Sequence, residues 1–182
     1  LYWVGCVSAY DKRKQSIARS LVKILNESGL KWGIMGSKEN CTGDPARRLG
    51  EENLFQTMAK KNIELLSTVK FKTMVANCPH CFNTLKNEYP QVAENFIKSD
   101  VRIVHHSHFI QELLEQKKLT LKKTFEGNIT FHDPCYLTRY NDTVEEPREI
   151  LVQLGGGKAL REMKDAKKNN LIERLQGDLL MD

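Results

Sequence analysis

Apolar residues along this chain fall into two alternating patterns, short runs and helical spacings. Runs of aromatic and β-branched residues predict strands, whereas apolar residues three or four positions apart predict helices. The predicted strands cover residues 1–4, 31–35, 73–76, 101–104 and 128–131. The predicted helices cover residues 12–28, 47–66, 82–88, 109–116 and 145–154. Strands separated by helices favour an α/β fold with a largely parallel sheet.

Glycine and proline set several of these helix boundaries. Gly29 ends the first predicted helix, and Pro90 is expected to stop the third, because proline has no N–H and clashes with the preceding turn. The helix over 47–66 follows a loop at 40–45 that contains Gly43. Its expected buried stripe consists of Leu49, Leu54, Met58, Ile63 and Leu66.

Composition excludes several classes of protein. The 182 residues are 40% hydrophobic and 28% charged, which is ordinary for a globular chain. No apolar run approaches the roughly 18 residues that would cross a bilayer. The net charge of +5 is dispersed, with no basic block longer than Lys12-Arg13-Lys14, so we expect no nucleic-acid partner. Neither an initiator Met nor a secretory signal is present, so we expect a piece of a longer protein from a reducing compartment, the cytoplasm.

Four of the five cysteines form the main candidate site. Cys6, Cys41 and the pair in Cys78-Pro79-His80-Cys81 come from three separate strand-to-helix connections, which share one edge of a parallel sheet. Four thiolates suit either tetrahedral Zn²⁺ or an iron–sulfur cluster. Zinc would be structural, whereas a cluster would carry electrons. A thioredoxin-like CxxC is the main rival interpretation, but it leaves Cys6 and Cys41 unexplained.

Several other residues are weaker candidates. His132 precedes Cys135 by three residues, so it could ligate a metal or hydrogen-bond a sulfur, and His80 lies inside the CxxC pair. The cluster at His105, His106 and His108 is expected to end a strand and begin a helix. The glycines at 155–157 follow a helix, so they lack the strand-before, helix-after setting of a phosphate-binding loop.

Longer segments around these cysteines resemble a known family. Residues 39–50, 77–89 and 132–137, with Pro147-Arg148-Glu149, are similar to the cysteine-rich CCG domain family. This domain is found in heterodisulfide reductase catalytic subunits and in iron–sulfur subunits of glycolate, lactate and glycerol-3-phosphate oxidation systems. The first two segments look most like the branch of iron–sulfur oxidoreductases linked to electron-transfer flavoprotein.

The resemblance implies a fold and a set of ligands. It implies two Rossmann-like CCG modules with mostly parallel sheets, the first over 1–118, a linker over 119–127 and an incomplete second over 128–182. Cys6, Cys41, Cys78 and Cys81 would bind a [4Fe–4S] cluster, and Cys135 would belong to a partial second site. His80 and His132 would support these ligands. The paired cysteine of the family is Cys41-Thr42 here, so four thiols remain, which suits one-electron transfer and not disulfide chemistry.

The resemblance also implies a function. The chain would be an iron–sulfur oxidoreductase module that passes electrons between a flavoprotein, similar to electron-transfer flavoprotein, and a quinone or thiol/disulfide acceptor. It would work in the cytoplasm or at the cytoplasmic face of the membrane, as part of a larger protein or complex. Two alternatives remain open at this point. One is a zinc-binding structural or interaction module, and the other is a subunit of a disulfide reductase or 2-hydroxy-acid oxidation complex.

Overall fold

The computed structural model describes residues 1–93, 101–125, 127, 129 and 131–155. Its sheet has three parallel strands, β1 (Tyr2–Trp3), β2 (Thr73–Ala76) and β3 (Arg102–His105), in the order β1-β2-β3. Tyr2 pairs with Val75, and Val75 pairs with Val104. The α/β class with a parallel sheet is therefore confirmed, although the structure does not confirm two Rossmann-like modules.

Helices cover both faces of this sheet. They are α1 (Cys6–Tyr10), α2 (Gln15–Glu27), α3 (Asp44–Arg48), α4 (Glu52–Ser67), α5 (Pro79–Asn83), α6 (Tyr89–Val92), α7 (His106–Glu115), α8 (Cys135–Asn141) and α9 (Glu145–Gln153). Short helical turns also lie at Gly36–Lys38 and Thr84–Glu88. The predicted helices at 12–28, 109–116 and 145–154 correspond to α2, α7 and α9.

The core divides into two clusters because successive strand side chains point to opposite faces. Trp3 and Met74 pack on one face with residues of α4 and α5, including Phe55 and Phe82. On the other face the strands pack against α2 and α7. That second cluster consists of Tyr2, Leu21, Leu25, Val75, Val104, Phe109 and Leu113.

The predicted strand at 31–35 is wrong. The segment runs beside β1, and the Tyr2 N–H donates to the Gly33 carbonyl at 2.8 Å, but the segment is not a strand. Gly33 offers no side chain to pack, which weakens a strand, and Gly36 turns the chain away with a φ of 59°. The predicted strand at 128–131 falls partly outside the described residues and stays a prediction.

The predicted helix at 47–66 is two helices. α3 ends at Arg48 and α4 begins at Glu52, with Gly50 between them at a φ of 84°, a left-handed conformation that favours glycine. The predicted stripe is also wrong for Leu49 and Leu54, which are 81% and 52% exposed. The buried positions of α4 are Leu66, as predicted, together with Phe55, Ala59 and Asn62.

Pro90 does not stop the predicted helix at 82–88. The chain continues from α5 through a π-helical turn at Thr84–Glu88 into α6, where Pro90 lies in the first turn. A helix start needs no N–H at that position, so the proline is tolerated there. The wider turn before it changes the hydrogen-bonding register of the helix.

The described part of residues 128–182 packs on the rest of the chain. α8 contacts α5, α9 contacts α7, and Leu137 of α8 lies in the same apolar cluster as Trp3. The division into modules at 1–118 and 128–182, with a linker at 119–127, stays a prediction. In the described ranges, no helix is both long enough and apolar enough to span a membrane.

Candidate metal centre

The structure brings Cys6, Cys41, Cys78 and Cys81 together at the end of the sheet where β1 and β2 finish. Cys6 is the first residue of α1, soon after β1. Cys78 lies two residues after β2 and precedes α5, which carries Cys81. Cys41 lies on the loop before α3, with its Sγ 4.0 Å from Cys6 Sγ. Gly5, which directly precedes Cys6, lies beside Cys78 and Cys81, so the four cysteines are neighbours.

Gly5 allows the close approach of the Cys6 turn to the CxxC pair. Its φ is 78°, a conformation that other residues rarely adopt. A Cβ at this position would lie 3.4 Å from Cys81 Sγ and 4.0 Å from Cys78 Cβ. Any larger side chain would therefore extend into the space between the thiols.

The thiols of Cys6, Cys78 and Cys81 have shifted pKa values. The pKa of Cys78 is lowered to about 6, first by its hydrogen bond with the Cys81 thiol, and the nearby N–H groups of Cys81 and His80 also favour the thiolate. The pKa of Cys81 is raised by the same hydrogen bond and then by burial. Burial raises the pKa of Cys6, and neighbouring Cys41 adds to this effect. A thiolate at Cys78 is the form that binds metals.

Glu39 fixes the turn that leads to Cys6. Its carboxylate accepts hydrogen bonds from the Gly5 N–H at 2.6 Å and from the Val4 N–H at 3.0 Å. Burial raises the pKa of Glu39, although these two N–H donors oppose that rise. Glu39 therefore ties the loop before Cys41 to the turn before Cys6.

Asn62 and Tyr89 hold the loop that carries Cys41. The Asn62 amide donates to the Cys41 carbonyl and to the Tyr89 hydroxyl, both at 2.9 Å. The Tyr89 hydroxyl in turn donates to the Thr42 carbonyl at 3.0 Å. Both side chains are completely buried, so these backbone positions are set from within the core. The Thr42 hydroxyl donates to Cys81 Sγ at 3.8 Å.

Asn77 joins the Cys78 turn to the Cys6 turn. Its amide nitrogen donates to Ser8 Oγ on α1 at 2.8 Å, and its amide oxygen accepts from the Tyr2 hydroxyl at 3.3 Å. Because Asn77 directly precedes Cys78, these bonds keep α1 and the end of β2 at a fixed separation.

His80 is bound on the outer side of the CxxC pair. Its Nδ1 lies 2.9 Å from the buried Asp44 carboxylate, and its ring lies 4.3 Å from the ring of Tyr136. Arg48 also pairs with Asp44 at 3.1 Å. A supporting role for His80 stays a prediction, but the ring has a fixed position beside Cys78 and Cys81.

The second predicted site, at Cys135 and His132, is not joined to the four-thiol site by hydrogen bonds among the described residues. Cys135 and His132 are both exposed. The histidine cluster lies at the strand end, as predicted. His105 ends β3 and caps α7 by accepting a hydrogen bond from the Ser107 N–H, and His108 pairs with Glu112 and Glu146.

Sequence reasoning missed the residues that position the cysteines. Glu39 lies within a segment that resembles the family, and no property of a single sequence separates it from other acidic residues. Asn62 did leave a signal, because it is a polar residue in the buried stripe of α4, between Ala59 and Leu66. A buried amide needs hydrogen-bond partners, and here those partners are at the site.

The donor set fits a sulfur-rich metal group. All four candidate ligands are free cysteines with soft sulfur donors, and all four side chains are at least partly buried. Within the described residues, no group of three or more His, Cys, Asp or Glu side chains is arranged to hold a metal ion. The thiols are therefore neighbours without forming a ready-made site for a single ion.

Comparison with known proteins finds relatives over most of the chain. It is 39% identical over 180 residues to "Probable iron-sulfur-binding oxidoreductase FadF" of Bacillus subtilis (strain 168), covering 99% of this chain and 25% of the relative. It is 36% identical over 156 residues to "EtfAB:quinone oxidoreductase" of Syntrophomonas wolfei subsp. wolfei, covering 86% of this chain and 21% of the relative. It is 28% identical over 161 residues to one component of the dihydromethanophenazine:CoB–CoM heterodisulfide reductase of Methanosarcina mazei, covering 87% of this chain and 38% of the relative.

The chain spans about a quarter of the length of the first two relatives. No solved structure matches it. The cysteine-rich domain family CCG matches residues 1–86 and 129–170, which include all five cysteines. The chain belongs to the cysteine-rich CCG domain family.

Proposed function

We propose that Cys6, Cys41, Cys78 and Cys81 bind a [4Fe–4S] cluster. The observation that carries this proposal is the convergence of four thiols from three separate chain segments, with Cys6 Sγ 4.0 Å from Cys41 Sγ. Sulfur ligands in this number are typical of such clusters. Relatives named for iron–sulfur binding support the same assignment. Nothing in the site or the relatives favours zinc.

The surrounding residues would determine how this site holds its group. A bound cluster supplies one-electron transfer. Gly5 leaves the space between the thiols open, and Glu39 with Asn62 and Tyr89 fixes the two loops that carry Cys6 and Cys41. The partly buried setting excludes water from Cys81, the most buried of the four thiols. These features are the means by which proteins set a cluster's reduction potential.

The names of the relatives support a choice of electron partners. One relative is named an EtfAB:quinone oxidoreductase, so we assign this chain a flavoprotein of the electron-transfer type as donor or acceptor, with a quinone at the other end. The chain would act within a larger oxidoreductase in the cytoplasm or at the cytoplasmic face of the membrane. A relative named a membrane-anchored ferredoxin supports that setting.

A second candidate is a component of a complex that serves a thiol/disulfide acceptor. The 28% identity with a heterodisulfide reductase component favours it. The presence of Thr42 in place of a further cysteine leaves four thiols at this site, which favours plain electron transfer. Cys135 and the residues after it would then contribute a separate second site.

Variants at the thiols test the ligand assignment. Cys78→Ser, prepared anaerobically, is expected to lose most of the iron and sulfide of the unaltered protein, because one of its four thiolates is gone. Cys135→Ser is the matched control and is expected to keep the iron of this site. Full retention of the cluster in Cys78→Ser would contradict the assignment.

Mixing with a reduced flavoprotein tests the electron role. Adding reduced electron-transfer flavoprotein to the oxidised protein under argon is expected to bleach the cluster's visible absorbance and to produce the electron paramagnetic resonance signal of the reduced cluster. Dithionite gives the full extent of reduction for comparison. If dithionite reduces the cluster but the flavoprotein does not, the metal-site assignment is retained and the assigned partner is overturned.

A further inference from the structure

Thr42 is a buried polar side chain that faces the candidate metal centre. It lies between Cys41 and Gly43 and is 1% exposed. Its hydroxyl oxygen is 3.8 Å from Cys81 Sγ, within the longer range of hydrogen bonds to sulfur, and the hydroxyl donates. A threonine hydroxyl needs a partner when buried, and Cys81 provides it here.

The core fixes the position of this hydroxyl. The carbonyl of Thr42 accepts from the Tyr89 hydroxyl, and the carbonyl of the preceding Cys41 accepts from Asn62. On the other side, Gly43 has a φ of 85°, and an added Cβ would lie 3.0 Å from the Phe55 ring. The backbone around Thr42 is therefore held on both sides, which fixes the residue that carries the hydroxyl.

A donor at this position acts on negative charge. Hydrogen bonding to a charged sulfur favours the charged form, and the Thr42 hydroxyl lies 3.8 Å from Cys81 Sγ with its hydrogen directed to that sulfur. Adding one electron to a thiolate-bound cluster places more negative charge on its sulfurs. The same hydroxyl therefore stabilises the reduced form more than the oxidised form, and burial leaves this effect little screened by water.

We propose that Thr42 raises the reduction potential of the centre by donating its hydroxyl hydrogen bond to Cys81 Sγ. This inference rests on the proposed function, since it requires the cluster. The step it affects is the gain of one electron from the flavoprotein, in which no covalent bond forms or breaks. Thr42 acts through Cys81, so it is a positioning residue for the redox centre.

Paired substitutions in the cluster-loaded protein test this proposal. Thr42→Val has nearly the same shape without the hydroxyl, and Thr42→Ser keeps the hydroxyl. In an anaerobic redox titration, Thr42→Val is expected to lower the one-electron reduction equilibrium constant about tenfold, which is about 59 mV. Thr42→Ser is expected to remain closer to the unaltered protein than Thr42→Val. Thr57→Val, on the exposed side of α4, is the matched control and is expected to leave the potential unchanged.

Iron, sulfide and vibrational measurements on each variant distinguish loss of the cluster from a change in its reduction potential. The Fe–S(Cys) stretching bands are expected to shift in Thr42→Val at full iron content. Equal potentials in the Val and Ser variants would overturn the proposal while leaving the proposed function intact. Loss of the cluster from both Thr42→Val and Thr42→Ala, but not from Thr42→Ser, would show that the hydroxyl retains the cluster instead of tuning it, and would also overturn the proposal. Absence of any cluster in the unaltered protein would overturn the proposed function together with this inference.

Discussion

The Glu39 carboxylate lies 2.6 Å from the Gly5 backbone nitrogen, so an acidic residue before Cys41 holds the turn before Cys6. The two residues are 34 positions apart in the sequence. The same carboxylate accepts a hydrogen bond from Val4 at 3.0 Å. Two segments that each deliver one thiol are thereby fixed to each other before any metal binds.

Removing this carboxylate is expected to loosen the site. Glu39→Ala leaves two partly buried N–H groups without their acceptor, which we expect to lower the free energy of unfolding by about 2 kcal/mol. Urea unfolding followed by circular dichroism measures the change. Glu64→Ala, an exposed residue on α4, is the matched control and is expected to change stability by less than about 0.5 kcal/mol. Equal effects of the two substitutions would contradict the role of Glu39.

The Tyr89 hydroxyl is expected to contribute to stability in addition to the buried ring. Tyr89→Phe keeps the buried ring but removes the bond to the Thr42 carbonyl and the acceptor of the Asn62 amide. We expect a loss of about 1–3 kcal/mol in the free energy of unfolding, because buried groups are left unsatisfied. Tyr10→Phe serves as control, since Tyr10 is 85% exposed. Unchanged stability in Tyr89→Phe would show that these hydrogen bonds are dispensable.

Gly43 and Gly50 form a natural pair for testing close packing beside the site. Both have a φ near 85°, so alanine costs about 1–2 kcal/mol at either position. An added Cβ at Gly43 also lies 3.0 Å from the Phe55 ring, whereas nothing lies within 4 Å at Gly50. Gly43→Ala is therefore expected to be more destabilising than Gly50→Ala by about 1–3 kcal/mol. Equal losses in thermal or urea unfolding would contradict this geometry.

Two histidines, the buried His105 and the partly buried His106, are expected to weaken the fold in acid. Burial lowers the pKa of His105 to about 3 and that of His106 to about 4, from an ordinary value of 6.5. Below pH 6.5 the unfolded chain binds protons that the folded chain does not, so stability falls as the pH decreases towards 4. Between pH 7 and pH 5 each histidine is expected to remove up to about 2 kcal/mol.

Substitution separates this effect from general acid sensitivity. His105→Asn is expected to lose less stability between pH 7 and pH 5 than the unaltered protein, whatever its stability at pH 7. His132→Gln, at an exposed position, is expected to keep the original pH dependence. Parallel pH profiles for His105→Asn and the unaltered protein would show that His105 titrates normally.

The sequence predicted the regular parts of the fold because these depend on local patterns. The strand at Thr73–Ala76 is a run of apolar and β-branched residues, and the structure has it at the same residues. The break at Gly50 and the passage of the helix through Pro90 were not predicted, since each depends on tertiary packing or on an unusual turn. The segment at 31–35 has strand-like composition, yet it meets β1 through the bond from Tyr2 to Gly33 and forms no strand ladder there.

The candidate site likewise has one part that the sequence predicted and another part that it did not. Cysteine spacing and the parallel α/β pattern predicted that Cys6, Cys41, Cys78 and Cys81 would meet, although the segment at 31–35 that was expected to deliver Cys41 is not a strand. The residues that hold them in place were not visible, because Glu39 and Asn62 act on backbone atoms distant in the sequence. Such contacts leave no local pattern, apart from a polar residue in an apolar helix stripe.

The most direct measurement of the central claim is a combined iron, acid-labile sulfide and zinc analysis of the anaerobically prepared protein, with Cys135→Ser to isolate the site of Cys6, Cys41, Cys78 and Cys81. The account predicts about four iron and four sulfide per chain at this site, with an electron paramagnetic resonance signal after one-electron reduction. Zinc without sulfide, or neither metal after reconstitution with iron and sulfide, would contradict it.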